Sequence, residues 1–337
     1  MGVRFSTLLL VMVPFLPMSI RSPLFLFVAS GLWAGATLWS TTLSAQVVGN
    51  PTPSLTTPPP TLAAKPAPPR QLRDLAYVAN GLEHQKVDLY LPADDGQDHP
   101  LVVWIHGGGW QAGGRFPCPI ARLTAQNCAV ASVGYRFSQE ALFPAQIEDC
   151  KAALRFLRAH AAEYHLDPAH VGVVGESAGG HLVALLGTTG DKRQFDVGAN
   201  LDQSSAVQCV VDLFGPTDFL HYGPPAVAEF MSKDARNGGA KLFGGPIIEH
   251  QDAARAASPI TYVDKAAAPT LMVHGDKDPI VPLQQSEIFH EALTKAGVES
   301  SLKVVPGAGH GGPAFASPEN LKLMGDFLDK HLRPSQP

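Results

Sequence analysis

The first 45 residues of this 337-residue sequence contain no Asp or Glu and only two basic residues, Arg4 and Arg21. Charge is absent altogether from Ser22 to Ala64. Without the first 45 residues the formal net charge changes from −5 to −7, because 23 of the 25 Lys and Arg and all 30 Asp and Glu lie further on. The sequence also lacks a dense Lys/Arg cluster, which excludes the basic face that a nucleic-acid-binding protein needs.

Cysteine is scarce, and its spacing argues against one common kind of site. No two cysteines form a CxxC pair, so a zinc cluster is not expected. An exported protein can form disulfides, and four cysteines allow three complete pairings. Most of these residues lie in or beside apolar runs, so buried free thiols are an equal alternative. The four are Cys118, Cys128, Cys150 and Cys209.

What the sequence does contain is largely apolar. Hydrophobic residues make up 45% of the chain and charged residues 16%. This balance excludes a disordered chain and a coiled coil. The length fits one large domain or two small ones.

The uncharged N-terminal segment has the layout of a secretory signal peptide. Arg21 precedes an apolar stretch, Leu24–Leu38, and small residues follow up to Ala45. A basic start, an apolar core and a small-residue cleavage site define such peptides. An apolar run of about 18 residues or more can instead span a bilayer, so an uncleaved anchor is the alternative. We predict cleavage near Ala45 and an exported protein, periplasmic or secreted, with no stable membrane insertion.

Eight prolines lie between residues 50 and 69. Such a segment favours an extended polyproline II conformation and acts as a semi-rigid spacer. The sequence therefore predicts three parts: residues 1–45 as signal peptide or anchor, residues 46–70 as a Pro-rich linker, and residues 71–337 as the folded domain.

Apolar runs alternate with helical periods in the folded domain. Two short alternating segments, Ala76–Val78 and Lys86–Leu91, predict an antiparallel hairpin that leads in. The later runs alternate little, which is typical of strands buried on both faces of a parallel sheet. These strands are predicted at Leu101–Ile105, Ala129–Val133, Val171–Val174, Val207–Phe214, Thr270–Val273 and Ser301–Val305.

Helical periods between the strands predict a doubly wound α/β sheet, mostly parallel, with right-handed crossovers. The stretch from Asp218 to Asp264 has helix-like pieces but no strand pattern, so we expect a small cap over one end of the sheet. The cap precedes the strand Thr270–Val273. The helices are predicted at Ile120–Gln126, Pro144–His160, Gly179–Gly187, Leu283–Ala296 and Pro318–His331.

The segment Gly175–Gly179 has the sequence GESAG and lies between a predicted strand and a predicted helix. In that context G-x-S-x-G forms a sharp turn that exposes the serine hydroxyl, here that of Ser177. The start of the following helix favours negative charge that develops near the serine. A chance GxSxG in a loop is the simpler explanation, but the strand, the helix and the residues downstream make it weak.

A serine nucleophile needs a base and an acid that orients the base. Asp278 and His310 follow the next two predicted strands after the cap, with chain separations of 101 and 32 residues in the order Ser177, Asp278, His310. This is the order expected for an α/β-hydrolase. Asp276 is the alternative acid, but its place directly at the turn suits a residue that caps backbone amides.

Residues His106–Trp110, with the sequence HGGGW, follow the strand Leu101–Ile105. Glycines there let backbone N–H groups approach a tetrahedral oxyanion. We interpret His106 as a residue that orders this loop by hydrogen bonding, because chain order does not pair it with the serine. Trp110 is expected to form a pocket wall.

The sequence resembles the α/β-hydrolase superfamily, in particular the hormone-sensitive-lipase-like and feruloyl/acetyl-xylan-esterase-like branches. The likeness covers nearly all of Leu72–Leu332. The bifunctional feruloyl and acetyl xylan esterase group is the most similar, because a hairpin leads straight into the sheet and Glu176 replaces a common Asp. The motifs that carry the resemblance are His106–Trp110, Tyr135–Arg136, Phe143–Gln146, Gly175–Leu182 and His274–Pro282.

The resemblance implies a serine esterase that works through an acyl-enzyme and needs no metal or organic cofactor. Its substrate would be a small ester or an acylated polysaccharide, with acetyl or feruloyl-type acyl groups. The implied roles are nucleophile for Ser177, base for His310, acid for Asp278, oxyanion donors for Gly108, Gly109 and Ala178, and pocket wall for Trp110.

Two other functions remain open. The HGGGW segment also resembles the HGGxW pattern of kynurenine formamidases, which suggests amide hydrolysis, although those enzymes are intracellular as a rule. The chain could also be a non-catalytic binding protein on a hydrolase scaffold, but degenerate members typically lose a triad residue. Apolar cap residues that either line a pocket or pack on the sheet are Phe219, Tyr222, Phe230 and Met231.

Overall fold

The computed structural model describes residues 70–190, 192–223, 227, 229 and 232–333. The predicted signal peptide or anchor and residues 46–69 of the predicted linker lie outside the described residues, as do Phe230 and Met231. None of the helices in the described part of the chain has the length and apolar composition that a bilayer span requires.

A sheet of eight strands runs through the domain in the order β1-β2-β4-β3-β5-β6-β7-β8. The pairs β1–β2 and β2–β4 are antiparallel, and every later pair is parallel. This confirms the predicted mostly parallel sheet with an antiparallel lead-in. The strands are β1 Arg70–Ala76, β2 Lys86–Leu91, β3 His99–Ile105, β4 Ala129–Val133, β5 Leu166–Glu176, β6 Cys209–Leu213, β7 Thr270–Gly275 and β8 Ser300–Val305.

The prediction of the first hairpin strand at Ala76–Val78 is wrong, because β1 ends where that prediction begins. β1 is an edge strand with a mostly exposed, charged sequence, so it shows little of the apolar alternation that marks a half-buried strand. Arg73 on β1 donates to the buried carboxylate of Asp88 on β2 at 3.2 Å. The strand is held by ladder hydrogen bonds and by this ion pair.

Helices cover both faces of the sheet. α1, α3 and α6 pack on one face, where a large apolar core includes Leu182 of α3. α7 covers the other face, together with a 3-10 helix, Ala121–Gln126, where an α-helix was predicted. The α-helices are α1 Ala145–Ala159, α2 Ala161–Tyr164, α3 Ala178–Thr189, α4 Gly238–Phe243, α5 Gln251–Ala257, α6 Gln284–Lys295 and α7 Pro318–Leu332.

The predicted cap, residues 218–264, contains α4, α5 and two 3-10 turns, and its described residues include no strand. Phe219 anchors the cap, because its buried ring packs against Trp110, His181 and Phe243. Tyr222 is also buried. The cap therefore lies at the carboxyl edge of the sheet, on the side of α3.

All four cysteines are free and buried. Burial raises the pKa of the Cys118 thiol to about 11 and that of the Cys209 thiol to about 12. The sequence left open disulfides or buried free thiols, and the structure shows buried free thiols.

Candidate active site

Ser177 lies on the turn between β5 and α3 and adopts a strained conformation, with φ 52° and ψ −117°. Its backbone N–H donates to the carbonyl of Leu213 at 2.8 Å, which ties the turn to β6. Gly179 makes the tight turn possible, because a Cβ at this position would stand 2.1 Å from the carbonyl oxygen of Ile105. The GESAG segment therefore forms the sharp strand-to-helix turn that its sequence predicts.

Ser177, His310 and Asp278 form one hydrogen-bonded chain. Oγ of Ser177 lies 2.7 Å from Nε2 of His310, and Nδ1 of His310 lies 2.6 Å from Oδ2 of Asp278. Phe214 packs edge-on against the imidazole, with 4.8 Å between ring centroids. Each of the three polar residues follows the carboxyl end of a different strand, and those ends meet at one edge of the sheet.

The two carboxylates of the loop after β7 have different partners. Asp276 accepts a hydrogen bond from the N–H of Gly307 at 2.6 Å, so it ties two loops together. Asp278 turns Oδ2 to His310, while its Oδ1 accepts from the N–H groups of Ile280 and Val281 at 2.8 and 2.9 Å. The geometry thus separates an amide-capping Asp276 from a histidine-binding Asp278.

His274 is a further contact of Asp278, and sequence analysis assigned it no role. Its Nε2 lies 3.3 Å from Oδ2 of Asp278 and 2.9 Å from the carbonyl oxygen of Val281. Its Nδ1 lies 2.7 Å from Oγ of Ser286 on α6, so the serine hydroxyl can hold the proton on Nε2. In the sequence, this contact could have been inferred from the position of His274 at the end of a buried strand, four residues before Asp278.

The electrostatics of Asp278 favour the charged form. Burial alone would raise the pKa of this carboxyl, but the hydrogen bonds from His274, His310, Val281 and Ile280 outweigh burial and hold the pKa well below its usual value. A carboxylate that stays ionised can orient an imidazole and stabilise the imidazolium that forms when the ring takes up a proton.

Asp212 at the end of β6 is a second buried carboxylate near this network. Its Oδ1 accepts from the N–H of Gly215 at 2.8 Å, and its buried Oδ2 has no hydrogen-bond partner among the described residues. Burial raises the pKa of Asp212 to about 6, although the Gly215 amide and His274 act in the opposite direction. Sequence patterns carried no sign of this residue, which reads as part of an apolar strand.

The loop after β3 approaches Ser177 from the other side. Gly108, Gly109 and Trp110 all have positive φ, at 106°, 60° and 59°. Gly109 and Ala178 line a cavity beside Ser177, and within the described residues the amide of neither makes a hydrogen bond to another group. Gly108, the third predicted donor, is not part of the cavity wall.

His106 is buried beneath this loop. Its Nδ1 lies 2.8 Å from the carbonyl oxygen of Gly107, and its ring stacks on Tyr135 with centroids 4.5 Å apart. Burial lowers the pKa of His106 to about 4. The tyrosine hydroxyl donates to the carbonyl of His106 at 3.0 Å. These contacts agree with the interpretation that His106 orders the loop.

The cavity beside Ser177, called the main cavity below, has a volume of about 660 Å³. Trp110 forms part of its wall, and the indole Nε1–H donates to Nδ1 of His181 on α3 at 3.2 Å. His181 in turn contacts the carbonyl of Ala257 at 2.6 Å, and burial lowers its pKa to about 4. The remaining wall includes Tyr222, Val227, Asp234, Arg236, Asn237, Gly238, Pro279, Ile280 and Val281.

Several known proteins that are similar to this domain are named esterases. The family model described as BD-FAE matches residues 87–293. Esterase LipC from Mycobacterium tuberculosis (strain ATCC 25618 / H37Rv) is 32% identical over 216 residues, which cover 63% of this chain and 53% of LipC. The chain therefore spans about half the length of this curated relative.

Many solved structures resemble the domain, including two at 33% and 36% identity. One is a truncated form of a carbohydrate esterase from gut microbiota, with a TM-score of 0.70 and 33% identity; the match covers 78% of this chain and 96% of that one. The other is a bifunctional GH43-CE protein from Bacteroides eggerthii, with a TM-score of 0.72 and 36% identity, covering 78% of this chain and 35% of that one.

Proposed function

This chain belongs to the BD-FAE family, and from that premise we propose that it is a serine carboxylic-ester hydrolase. The match confirms the resemblance to α/β-hydrolase esterases that the sequence indicated. One observation carries the proposal: Oγ of Ser177 lies 2.7 Å from Nε2 of His310, whose Nδ1 lies 2.6 Å from Asp278. A nucleophile, a base and an orienting acid within hydrogen-bond reach are the requirements for acyl transfer.

In the proposed mechanism Ser177 attacks the ester carbonyl carbon while His310 takes the hydroxyl proton on Nε2. Asp278 holds the imidazole through Nδ1 and stabilises its positive charge. The N–H groups of Gly109 and Ala178, with Gly108 as a further candidate, would stabilise the oxyanion. His310 then gives its proton to the leaving alcohol, and water attacks the acyl-enzyme by the same route to release the acid.

We propose acyl groups on polysaccharides, or small esters, as the substrates. The support is the carbohydrate esterase named among the structural neighbours and the large, mostly apolar cavity beside Ser177. A cavity of about 660 Å³ has room for an aromatic acyl group as well as for acetyl.

A fluorophosphonate probe and a set of substrates test the proposal. We expect the probe to label Ser177, and we expect the purified protein to release acetate from acetylated xylan, p-nitrophenol from p-nitrophenyl acetate, or ferulate from methyl ferulate. A folded protein that resists the probe and hydrolyses none of these esters would contradict esterase activity and support a binding protein. Cleavage of N-formylkynurenine without ester turnover would favour the formamidase alternative.

Export is part of the same proposal, because polysaccharides are met outside the cytoplasm. Its support is the sequence of residues 1–45, with the Pro-rich residues 46–70 as spacer and residues 71–337 as the catalytic domain. Mass spectrometry of the exported protein should show an N-terminus near residue 46. An intact N-terminus upstream of Leu24 would contradict cleavage.

A further inference from the structure

His181 on α3 contacts both the loop after β3 and the cap. It lies four residues after Ser177, and its backbone N–H donates to the carbonyl of Ser177 at 3.0 Å. Its side chain is buried, and its two ring nitrogens bind Trp110 of the loop and Ala257 at the end of α5. One buried imidazole therefore connects the helix that follows the proposed nucleophile, the loop and the cap.

The partners of His181 determine which ring nitrogen carries its proton. An indole Nε1–H can only donate, so Nδ1 of His181, which lies 3.2 Å from the indole nitrogen of Trp110, has to accept. Nε2 then carries the proton of the neutral ring and donates to the carbonyl of Ala257 at 2.6 Å. That carbonyl belongs to the last turn of α5, where helix carbonyls lack a partner within the helix. One tautomer thus satisfies both nitrogens and directs the acceptor at Trp110.

Trp110 needs such an anchor because its backbone is strained, with φ 59°. A bulky residue keeps a left-handed conformation only where its surroundings over-determine it. The carbonyl of Trp110 accepts from the N–H of Ser138 at 2.8 Å, and its indole packs on Phe219 with ring centroids 5.7 Å apart. The hydrogen bond to His181 adds the direction of the indole N–H, which ring packing alone leaves free.

The conformation of Trp110 bears on Gly109, the residue directly before it and a proposed oxyanion donor. Gly109 has no side chain that could hold it, and within the described residues its N–H makes no hydrogen bond. The direction of this N–H therefore depends on the backbone on either side, and on the C-terminal side that backbone is Trp110. A small displacement of an oxyanion donor weakens binding of the transition state more than binding of the substrate.

We propose that His181 is a positioning residue of the esterase: through the indole of Trp110 it holds the loop after β3 so that the N–H of Gly109 is directed at the oxyanion. The inference rests on the proposed function. His181 takes no part in proton transfer, because both of its nitrogens are occupied by Trp110 and Ala257. The proposed oxyanion donor and the end of α5 in the cap then share one anchor.

Three variants separate positioning from a general contribution to stability. His181→Leu removes both hydrogen bonds of the ring. His181→Asn keeps an acceptor for the indole, because Oδ1 of Asn can take the position of Nδ1, but its side chain is too short to bind Ala257. Leu186→Ala is the matched control, because it removes a buried side chain five residues further along α3.

We expect His181→Leu to lower kcat for p-nitrophenyl acetate about tenfold and to leave KM within about twofold, because a displaced oxyanion donor costs less than a missing one. His181→Asn should bring kcat back to within about threefold of the wild type. Leu186→Ala should lower the melting temperature and keep kcat within about twofold. Equal losses of kcat in Leu186→Ala and His181→Leu at equal stability would overturn the proposal.

Trp110→Phe removes the indole N–H and tests whether His181 acts through Trp110. In a double-mutant cycle on kcat, His181→Leu should cost less than about twofold when residue 110 is already Phe, against about tenfold in the wild type. Additive losses would show that His181 acts by another route, and the positioning role would be wrong.

The indole N–H of Trp110 reports the hydrogen bond without any substrate. In proton–nitrogen correlation spectra its signal is identified by its absence in Trp110→Phe. We expect this N–H to exchange slowly with solvent in the wild type and in His181→Asn, and faster in His181→Leu. An unchanged signal in His181→Leu would contradict the anchor. A wild-type protein that hydrolyses no ester but keeps the slowly exchanging signal would instead contradict the proposed function, and the positioning role with it, while the hydrogen bond stands.

Discussion

The loops at the carboxyl edge of the sheet and the start of α4 in the cap are held in different ways. The edge loops are tied by hydrogen bonds between residues far apart in the chain, such as Ser177 to His310 and Asp276 to Gly307. Polar groups at the start of α4 in the cap are instead satisfied by near neighbours in the chain. Arg236 binds Asp234 two residues away, and the side chain of Asn237 accepts from the N–H of Ala240 at the start of α4.

The difference indicates a division of roles. Long-range contacts hold the proposed reacting groups to within a hydrogen-bond length, which acyl transfer requires. Local contacts at the start of α4 should let this segment change its sequence without moving Ser177. We therefore expect changes at the edge loops to act on kcat and changes in the cap to act on KM.

Replacement of the serine should have the largest effect. Ser177→Ala removes the proposed nucleophile, so kcat for p-nitrophenyl acetate should fall by about 10⁴-fold or more, and fluorophosphonate labelling should vanish. The exposed Ser301→Ala on β8 is the matched control and should keep full activity. Residual labelling of Ser177→Ala at the wild-type rate would show that another residue reacts.

The two aspartates of one loop should differ sharply. Asp278→Asn removes the carboxylate that orients His310 and should lower kcat by about 10³- to 10⁴-fold. Asp276→Asn loses one charge-assisted bond to Gly307 and should lower kcat less than about tenfold. Steady-state kinetics on the two variants checks this. Full activity of Asp278→Asn beside an inactive Asp276→Asn would reverse the assignment.

Asp212 should make the free energy of unfolding lower at neutral pH than at acidic pH. Its folded pKa is raised from 3.8 to about 6, so the stability present below pH 3.8 is lost as the pH rises through 6. The loss is at most about 3 kcal/mol, from two pKa units at 1.36 kcal/mol each. Asn does not titrate. We therefore expect the wild-type free energy of unfolding, minus that of Asp212→Asn, to decrease between pH 4 and pH 7 in urea titrations.

A constant difference between these two proteins over that pH range would mean that Asp212 keeps its ordinary pKa when folded.

His274 should act through Asp278. His274→Gln retains an N–H donor near the carboxylate and should lower kcat about tenfold or less, since one charge-assisted hydrogen bond is weakened. His274→Leu removes the donor and should lower kcat further, while KM stays unchanged for both. Melting temperatures separate a loss of folding from a loss of positioning. Equal kcat values for the two variants at equal stability would exclude a positioning role.

The cap variant should show the smallest effect. Asn237→Ala removes the side chain that caps α4, at a local cost of about 1 kcal/mol. Because α4 borders the main cavity, KM should rise by about twofold to fivefold while kcat is unchanged. Asn237→Asp keeps the capping oxygen and serves as the control. A fall in kcat comparable to that of Asp278→Asn would break the comparison between edge loops and cap.

The site residues that could be predicted from the sequence are those that follow buried strands. Ser177, Asp278 and His310 each follow a run of apolar residues, and parallel strands bring such positions to one edge. Turn chemistry favours Asp278 over Asp276 in the sequence, and the structure places Asp278 beside His310. His274 and Asp212 escaped notice because both lie inside strands, where their neighbours in space come from other parts of the chain.

Two further regions were not predictable for physical reasons. β1 is an exposed edge strand with a charged sequence and lacks the apolar alternation of a half-buried strand. The hydrophobic pattern therefore placed the first hairpin strand at Ala76–Val78, too late in the chain. In the described part of the cap, α4 and α5 have seven residues or fewer and alternate with 3-10 turns, which are too short for a helical period to stand out. Its contribution to the main cavity depends on contacts such as Phe219 with Trp110, and sequence spacing does not reveal them.

The close packing at Gly179 limits how this protein can change under selection. No side chain fits between that residue and the carbonyl oxygen of Ile105, and a Cβ at Gly175 would stand 2.4 Å from the carbonyl oxygen of Gly179. Mutational scanning should therefore find the turn around the serine invariant and exposed positions in the wall of the main cavity, such as Ile280, tolerant of substitution. Adaptation to new substrates is then confined to these exposed wall positions, which makes them the natural choice for a directed-evolution library.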